Sequence, residues 1–444
     1  MNDNLPIFPD KWNAVQIRRK LCDVGGIRIG PFGSALTLDQ MVEEGYKVYG
    51  QENVISQDFT AGTRFLNPTK YAELKACSIT SGDLLVTMMG TTGRCCVVPE
   101  EIAEGIMDSH LIRLRFKNHE VDPSFMALLI DKGHYVKEQI CAGGKGTIMS
   151  GLNSSIIKEV WVGLPDVKAQ KRITKYLDEQ TAKIDRLMDM RRRQMALLKE
   201  QRAALIQQAV TRGLNPNAPM KDSGLPWLGE IPAHWEVKRI KTLGRIRYGL
   251  GQPPRLKDRG VPMLRATNVD AGKILTKDLL LIDPDELPAS RDPYLKAGDI
   301  IIVRSGALTG DSAIVPPEYY GAVIGYDMVL SVAHATPSFV AAALLTGYIR
   351  NQQLRLLMMR AAQPHLNAEE LGGATIVQPP IDEQEEIVAF IERQKETFEA
   401  LHTAYARQLT LLTEYRAALI HECVTGQRPA PEPSSPDGGT AHAL

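Results

Sequence analysis

Two stretches of the chain place apolar residues at alternating spacings of four and three. In the first they are Ile173, Leu177, Ile184, Leu187 and Leu198; in the second, Ile387, Ile391, Phe398, Leu401, Tyr405 and Leu412. A spacing that averages 3.5 predicts a coiled-coil seam on a helix. Gly and Pro are absent from 166–212, and 381–426 holds one Gly, near its end. Pro165 and Pro379-Pro380 suit helix starts, where a missing N–H costs nothing. Gly213 and Gly426 suit the exits. The pattern therefore predicts helices over 166–212 and 380–426, each a rod of roughly 60 Å.

The two stretches are copies of each other. Displaced by 214 residues, 165–211 lies on 379–425 without a gap and 17 of 47 positions are identical, including Gln170/Gln384, Gln180/Gln394 and Gln194/Gln408. The repeat extends more loosely backwards: SGDLLVTMMG (81–90) matches AGDIIIVRSG (297–306), and Leu152-Asn153 matches Leu366-Asn367. The unit is a variable segment of about 160 residues followed by a long helix, and it occurs twice. The variable segments read as mixed α/β. Strand-like runs such as DLLVTM (83–88), HLIRLRF (110–116), GDIIIV (298–303) and MVLSVA (328–333) precede helical runs at 124–140 and 338–359. The expected organisation is a first domain over 1–163 and a first helix over 164–213. A second domain over 214–377 follows, opened by a Pro/Gly-rich linker at 214–226, then a second helix over 378–427 and a disordered tail over 428–444. The fold class is α+β: two similar α/β domains joined by two long antiparallel helices related by a pseudo-twofold repeat.

Charge sharpens the helix pairing. The formal net charge is zero, yet 165–213 carries 12 basic and 6 acidic residues and 379–427 carries 4 and 9. Complementary charge and matched apolar stripes predict that one helix packs against the other. The N-terminus has no basic-then-apolar leader pattern, and no window approaches a membrane span, so a cytoplasmic protein without a membrane partner is expected. Six cysteines form no C-x-x-C pair and no zinc spacing, which predicts reduced thiols and no metal.

Catalytic patterns fail one by one. VPPEYY (315–320) has Val315 where an amino-methyltransferase motif needs a polar residue. GGKGT (143–147) puts Gly146 where a phosphate-binding loop needs Ser or Thr. Glu73-Leu74-Lys75 is a spacing that arises by chance, and neither H-E-x-x-H nor G-x-S-x-G occurs. A binding protein without catalytic residues is expected.

At this point the sequence resembles a known family. KDSGLPWLGEIPAHWEVKRIK (221–241) is similar to the opening of a target-recognition domain of type I restriction–modification specificity subunits. PFGSAL (31–36) with GYKVYGQENV (45–54) resembles the early strand–loop–strand of another. SGDLLVTMMGTTGR (81–94) and AGDIIIVRSGALTG (297–310) resemble its middle strand and turn. LPDVKAQKRI (164–173) and QPPIDEQEEI (378–387) resemble the start of the conserved helices, although Lys168-Ala169 stands where the second copy has the commoner Asp382-Glu383. The resemblance covers about 1–427. It implies a non-catalytic subunit that reads a bipartite site in double-stranded DNA, one half per domain. It also implies docking of two methyltransferase subunits and of restriction (motor–nuclease) subunits. S-adenosylmethionine, ATP and Mg2+ would belong to those partners. The alternatives are the recognition subunit of a type IIB-like enzyme and a methyltransferase with duplicated recognition domains.

Base edges are read by Arg, Asn, Gln, Ser and Thr, and phosphates are held by Lys, Arg and backbone N–H groups. In the first domain the residues with that chemistry in loops are Arg28, Gly33, Ser34, Arg94, Lys145 and Thr147. In the second, 238–259 holds eight basic residues, among them Arg245, Arg247, Arg255 and Lys257, opposed only by Asp258. Arg265, Asn268, Arg304, Ser305, Gln363 and His365 complete the expected DNA-contacting set.

Overall fold

The computed structural model describes residues 7–143, 152–252, 254–288, 292–358 and 364–432. The chain divides into two compact units. One comprises 1–191 with 407–444, the other 192–406. Each unit thus holds one variable domain, part of the first long helix (Val167–Arg212) and part of the second (Ile381–Val424).

In the first unit an antiparallel sheet runs in the order Ile27–Ile29, Leu111–Leu114, Leu84–Thr87, Cys95–Val97. Strand side chains alternate between faces. Leu84 and Val86 accordingly enter a core with Phe125 and Leu129, while Leu85 enters a second core with Tyr49 and Ile106. Cys95 and Cys96 also split between these cores, and all six thiols are free. A smaller sheet ends in a parallel pair, Tyr46–Tyr49 with Gly105–Met107. The helical run expected over 124–140 is two helices, Pro123–Lys132 and His134–Gly143, parted at Gly133.

The second unit repeats this plan. Its main sheet runs Gly244–Tyr248, Met328–Val332, Ile300–Ile302, Ser312–Ile314. Ile300 and Ile302 face one core, and Ile301 and Val303 the other. The parallel pair is Leu256–Leu264 with Val323–Ile324. The helical run expected over 338–359 is broken after Leu344, and it resumes through a π-turn at Arg350–Leu354. The region expected to be a linker is partly folded: Met220–Asp222 pairs with Glu230–Pro232, and Ile231 and Trp235 are buried. Of the tail, 428–432 packs on the first unit through Ala430, and 433–444 lies outside the described residues.

The P-x(4)-Q motif has a structural reason. Gln170 is fully buried. Its Oε1 accepts from the Asp122 N–H (2.8 Å) and its Nε2 donates to the carbonyls of Pro165 (2.8 Å) and Glu120 (3.1 Å). Gln384 repeats this, accepting from the Thr336 N–H and donating to the Pro379 carbonyl, both at 2.8 Å. Asp122 and Thr336 are the N-cap residues of the helices at Pro123–Lys132 and Pro337–Leu344. Each glutamine therefore satisfies an orphan N–H of its domain helix and ties the long helix to that domain. The Asp382-Glu383 form gains more, because Glu383 accepts from Trp235 Nε1 (2.9 Å) and contacts His234 (2.5 Å). Ala169 at the matching place in the first helix has no carboxylate to offer.

Within each unit the helix segments run antiparallel. In the first, Ile173, Leu177 and Ile184 share a core with Leu419, Ile420, Cys423 and Val424, and Asp185 pairs bidentately with Arg416 (2.9 and 3.2 Å). In the second, Ala209 and Val210 share a core with Ile387 and Ile391. Both helices end at glycines in the left-handed region, Gly213 (φ +74°) and Gly426 (φ +77°), seated against Trp235 and Trp12 respectively. Three seam assignments need correction, those of Leu187, Leu401 and Leu198; the half-buried Leu412 packs against the first unit's core. Leu187 and Leu401 are 42% and 39% exposed, and Leu198 is only half-buried, whereas Phe398 is buried. Ile173, Leu177, Ile184, Ile387 and Ile391 are positions that a domain core covers as well as the other helix. A stripe facing one helix alone is narrow, and a straight helix drifts about 20° per heptad from a 3.5 repeat. Leu177→Ala is therefore expected to cost about 2–5 kcal/mol. Leu187→Ala is expected to cost no more than about 1 kcal/mol, since much of its side chain never leaves water. Urea denaturation of the two variants checks this ranking; equal losses would restore the original seam.

Candidate nucleic-acid interface

The middle strand of each main sheet ends at the same tie. In the second unit, the Leu366 N–H donates to the Arg304 carbonyl (2.8 Å), and Ser305 bridges His365. In the first, the Leu152 N–H donates to the Met88 carbonyl (2.9 Å). The strand end and the loop after the domain helices are thus brought together in both units, by the residues that repeat in sequence.

The side chains at this edge differ. Arg304 lies between two aromatic rings, 4.6 Å from the Tyr248 centroid and 4.3 Å from that of Tyr326. Both tyrosines are exposed. The Arg304 Nη2 is 3.0 Å from Nε2 of His365, so the imidazole accepts there and carries its hydrogen on Nδ1. Among the described residues Nε of Arg304 has no hydrogen-bond partner. The Arg304 N–H donates to Asp327, whose carboxyl burial pushes above the ordinary range, against the lowering effect of the Arg304 and Ala266 N–H groups. Tyr248 Oη in turn accepts from the Ala368 N–H (2.8 Å). The result is a pre-oriented guanidinium, suited to a group that offers two acceptors side by side, such as the guanine edge or two phosphate oxygens. In the first unit the same strand position holds Met88, buried in the core.

Residues 27–193 match the family model described as "Type I restriction modification DNA specificity domain". A specificity subunit of the type I restriction enzyme MjaVIII from Methanocaldococcus jannaschii is 23% identical over 397 residues, 87% of this chain and 86% of that one. Over most of its length the chain is similar to type I restriction–modification specificity subunits. Two solved structures share the fold, each at 15% identity and covering 96% of this chain and all of theirs. One, from a type I R-M system, has a TM-score of 0.72. The other, the HsdS subunit from Thermoanaerobacter tengcongensis, has a TM-score of 0.58.

The specificity-subunit fold sorts the residues singled out from sequence. Arg304, Ser305 and His365 come together at one edge, and Arg245 is exposed on the strand that also carries Tyr248. Arg28 is exposed on the matching strand of the first unit, and Gly33 (φ +59°) and the backbone of Ser34 form an exposed turn after it. Arg255 and Lys257 are half to largely exposed and pair with Glu286 (3.6 Å) and Asp283. Arg265 donates to the Asp278 carbonyl (3.0 Å). Lys145, Thr147 and Gln363 lie outside the described residues.

Two assignments are corrected. Arg247 turns inward: its side chain is 12% exposed, Nη2 donates to Asp299 (2.8 Å), and it also holds Ser331 and the Tyr294 carbonyl. Asn268 is fully buried and donates to the Leu275 (3.0 Å) and Lys277 (3.1 Å) carbonyls. Its counterpart Asn53 does the same with Asp58 and Ala61. A carboxamide with both protons held by backbone has none left for adenine. Arg94 faces Asp131 (3.6 Å), and the matching turn of the second unit carries the pair with its signs exchanged, Asp311 with Arg350 (3.6 Å). Sequence reasoning missed Tyr248 and Tyr326. The available signal was an aromatic residue at the end of one strand and just before another, flanking the strand that leads into Arg304. Among the described residues no group of carboxylates, histidines and cysteines could hold a metal, and no helix is long and apolar enough to cross a membrane.

Proposed function

We propose that this chain is the DNA-reading subunit of a type I restriction–modification complex, working in the cytoplasm on a bipartite target with one half-site per domain. The observation that carries the reading is the pair of like-folded units whose matching strand ends present different chemistry, Arg304 among tyrosines in one and a buried Met88 in the other. Identical frames with different side chains are what reading two unlike half-sites requires. The two long helices dock a pair of methyltransferase subunits, and restriction subunits join that core. Methyl transfer and ATP-driven cleavage belong to those partners, with their S-adenosylmethionine, ATP and Mg2+. Methylome sequencing of the host with and without the gene tests this. One split methylated motif is expected to vanish with the gene and return on complementation. An unchanged methylome in a host with active partner subunits, or loss of an unsplit motif, would overturn it.

A further inference from the structure

The second unit contains a cleft of about 1240 Å³ between the late turns of the first long helix and the loops that carry Arg304 and His365. On the helix side it is lined by Lys199, Arg202, Ala203, Ile206 and Gln207, the spacing of a single helical face. Arg350 and Arg355 line it from the domain. No carboxylate is among the described lining residues. Arg350 is partly neutralised by Asp311 at 3.6 Å, and Arg202 lies near Glu399, which is itself bonded by Lys273 (2.8 Å). Nε of Arg202 is buried with no hydrogen-bond partner among the described residues. Lys199 and Arg355 are exposed. The remaining wall is Gly306, Ala307 and Thr309, two to five residues past Arg304, and Pro364, next to His365.

The corresponding cleft of the first unit is different. It is about 420 Å³, and carboxylates stand beside its cations: Arg94 and Lys132 share Asp131 (3.6 and 3.0 Å), Arg416 pairs with Asp185, and Asp178 also lines it. Lys199 corresponds to Thr413 by the 214-residue repeat, and Arg350 and Arg355 to Val136 and Cys141. Among the described lining residues the second unit's cleft has four cations and no carboxylate, whereas the first unit's has Arg94, Lys132 and Arg416 against Asp131 and Asp178.

We propose that this cleft is a backbone clamp for DNA, holding phosphates beside the half-site that the second domain reads, with the first long helix supplying two of its cations. The inference rests on the DNA-reading function above. A cleft with cations of one sign and low-dielectric walls concentrates an anion, and its continuity with the Arg304 and His365 loops favours a duplex already engaged there. The long helix is then a contact element as well as a spacer, and the two half-sites are held with unequal electrostatic strength.

The test uses the chain assembled with its methyltransferase subunits and a duplex carrying the mapped target, compared with one scrambled in the second half-site. Binding is measured from about 50 to about 300 mM KCl. The Lys199→Gln/Arg355→Gln double variant is expected to lower the slope of log K against log salt by about 2 and to weaken both duplexes by the same factor. Lys132→Gln, removing a paired cation of the first unit, is expected to leave the slope unchanged. An unchanged slope in the double variant overturns the clamp while target preference persists. Loss of a methyltransferase subunit from the complex with no change of slope overturns it as well, showing that the cleft holds protein. Failure of the wild-type complex to prefer its target would instead defeat the DNA-reading function.

Discussion

Asp299→Ala is expected to unfold the second unit's main sheet at a cost of about 3–5 kcal/mol. The carboxylate is buried, with its side chain 4% exposed. It accepts from Arg247 Nη2 (2.8 Å), the Ser331 hydroxyl (2.6 Å) and the Lys296 N–H (3.0 Å). Removing it leaves a buried guanidinium with no counter-ion, which costs more than the pair itself contributes. The first unit holds a matching centre, Asp83 with Arg115 and the Thr80 N–H. The same network decides what Arg247 does. Arg247→Ala is expected to lower the denaturation midpoint by a comparable amount, with target sequence preference intact in the fraction that remains folded. Calorimetry beside a methylation map checks both halves of this statement. An Arg247→Ala protein of wild-type stability that lost the second half-site would return Arg247 to the base-reading set.

Arg304→Ala is expected to relax one half of the target and leave the other alone. A well-oriented arginine contact to a base contributes about 1–3 kcal/mol of discrimination, roughly tenfold to above a hundredfold. The arginine is held by two ring faces and by His365 before any ligand arrives, so little ordering cost is left to subtract. Tyr326→Ala removes one face of the sandwich and is expected to give a weaker loss in the same half-site. Competition binding by the methyltransferase-assembled protein, with each half-site scrambled in turn, reads the effect. Equal loss at both halves would refute the assignment of one half-site to each domain.

Much of the architecture was legible because its signals are local. A 3.5 spacing free of Gly and Pro specifies a long helix whatever surrounds it, and the observed helices begin and end within two residues of the expected bounds. The 214-residue repeat implied two like units, and the strand orders of their main sheets are the same. The motif glutamines were visible as repeats, but their buried hydrogen bonds to the preceding domain depend on contacts 48 residues away along the chain.

Residue type alone could not separate readers from braces. Arg245, Arg247 and Arg304 carry the same chemistry. Strand alternation sends Arg245 to solvent, a buried aspartate captures Arg247, and two tyrosines, one at the end of a strand and one just before another, flank Arg304. Asn268 belongs to the expected DNA-contacting set by residue type, but its loop closes over it. The seam pattern marked Leu187 and Leu401 as apolar contacts, yet burial depends on how many layers cover a position, which periodicity does not encode. Sequence by itself determined the helices, the duplication and the family resemblance, because each follows from the order of residues along the chain. Tertiary structure decided which arginines are available for DNA and where unmatched charge collects, because both depend on which carboxylates and rings the fold brings within a few ångströms.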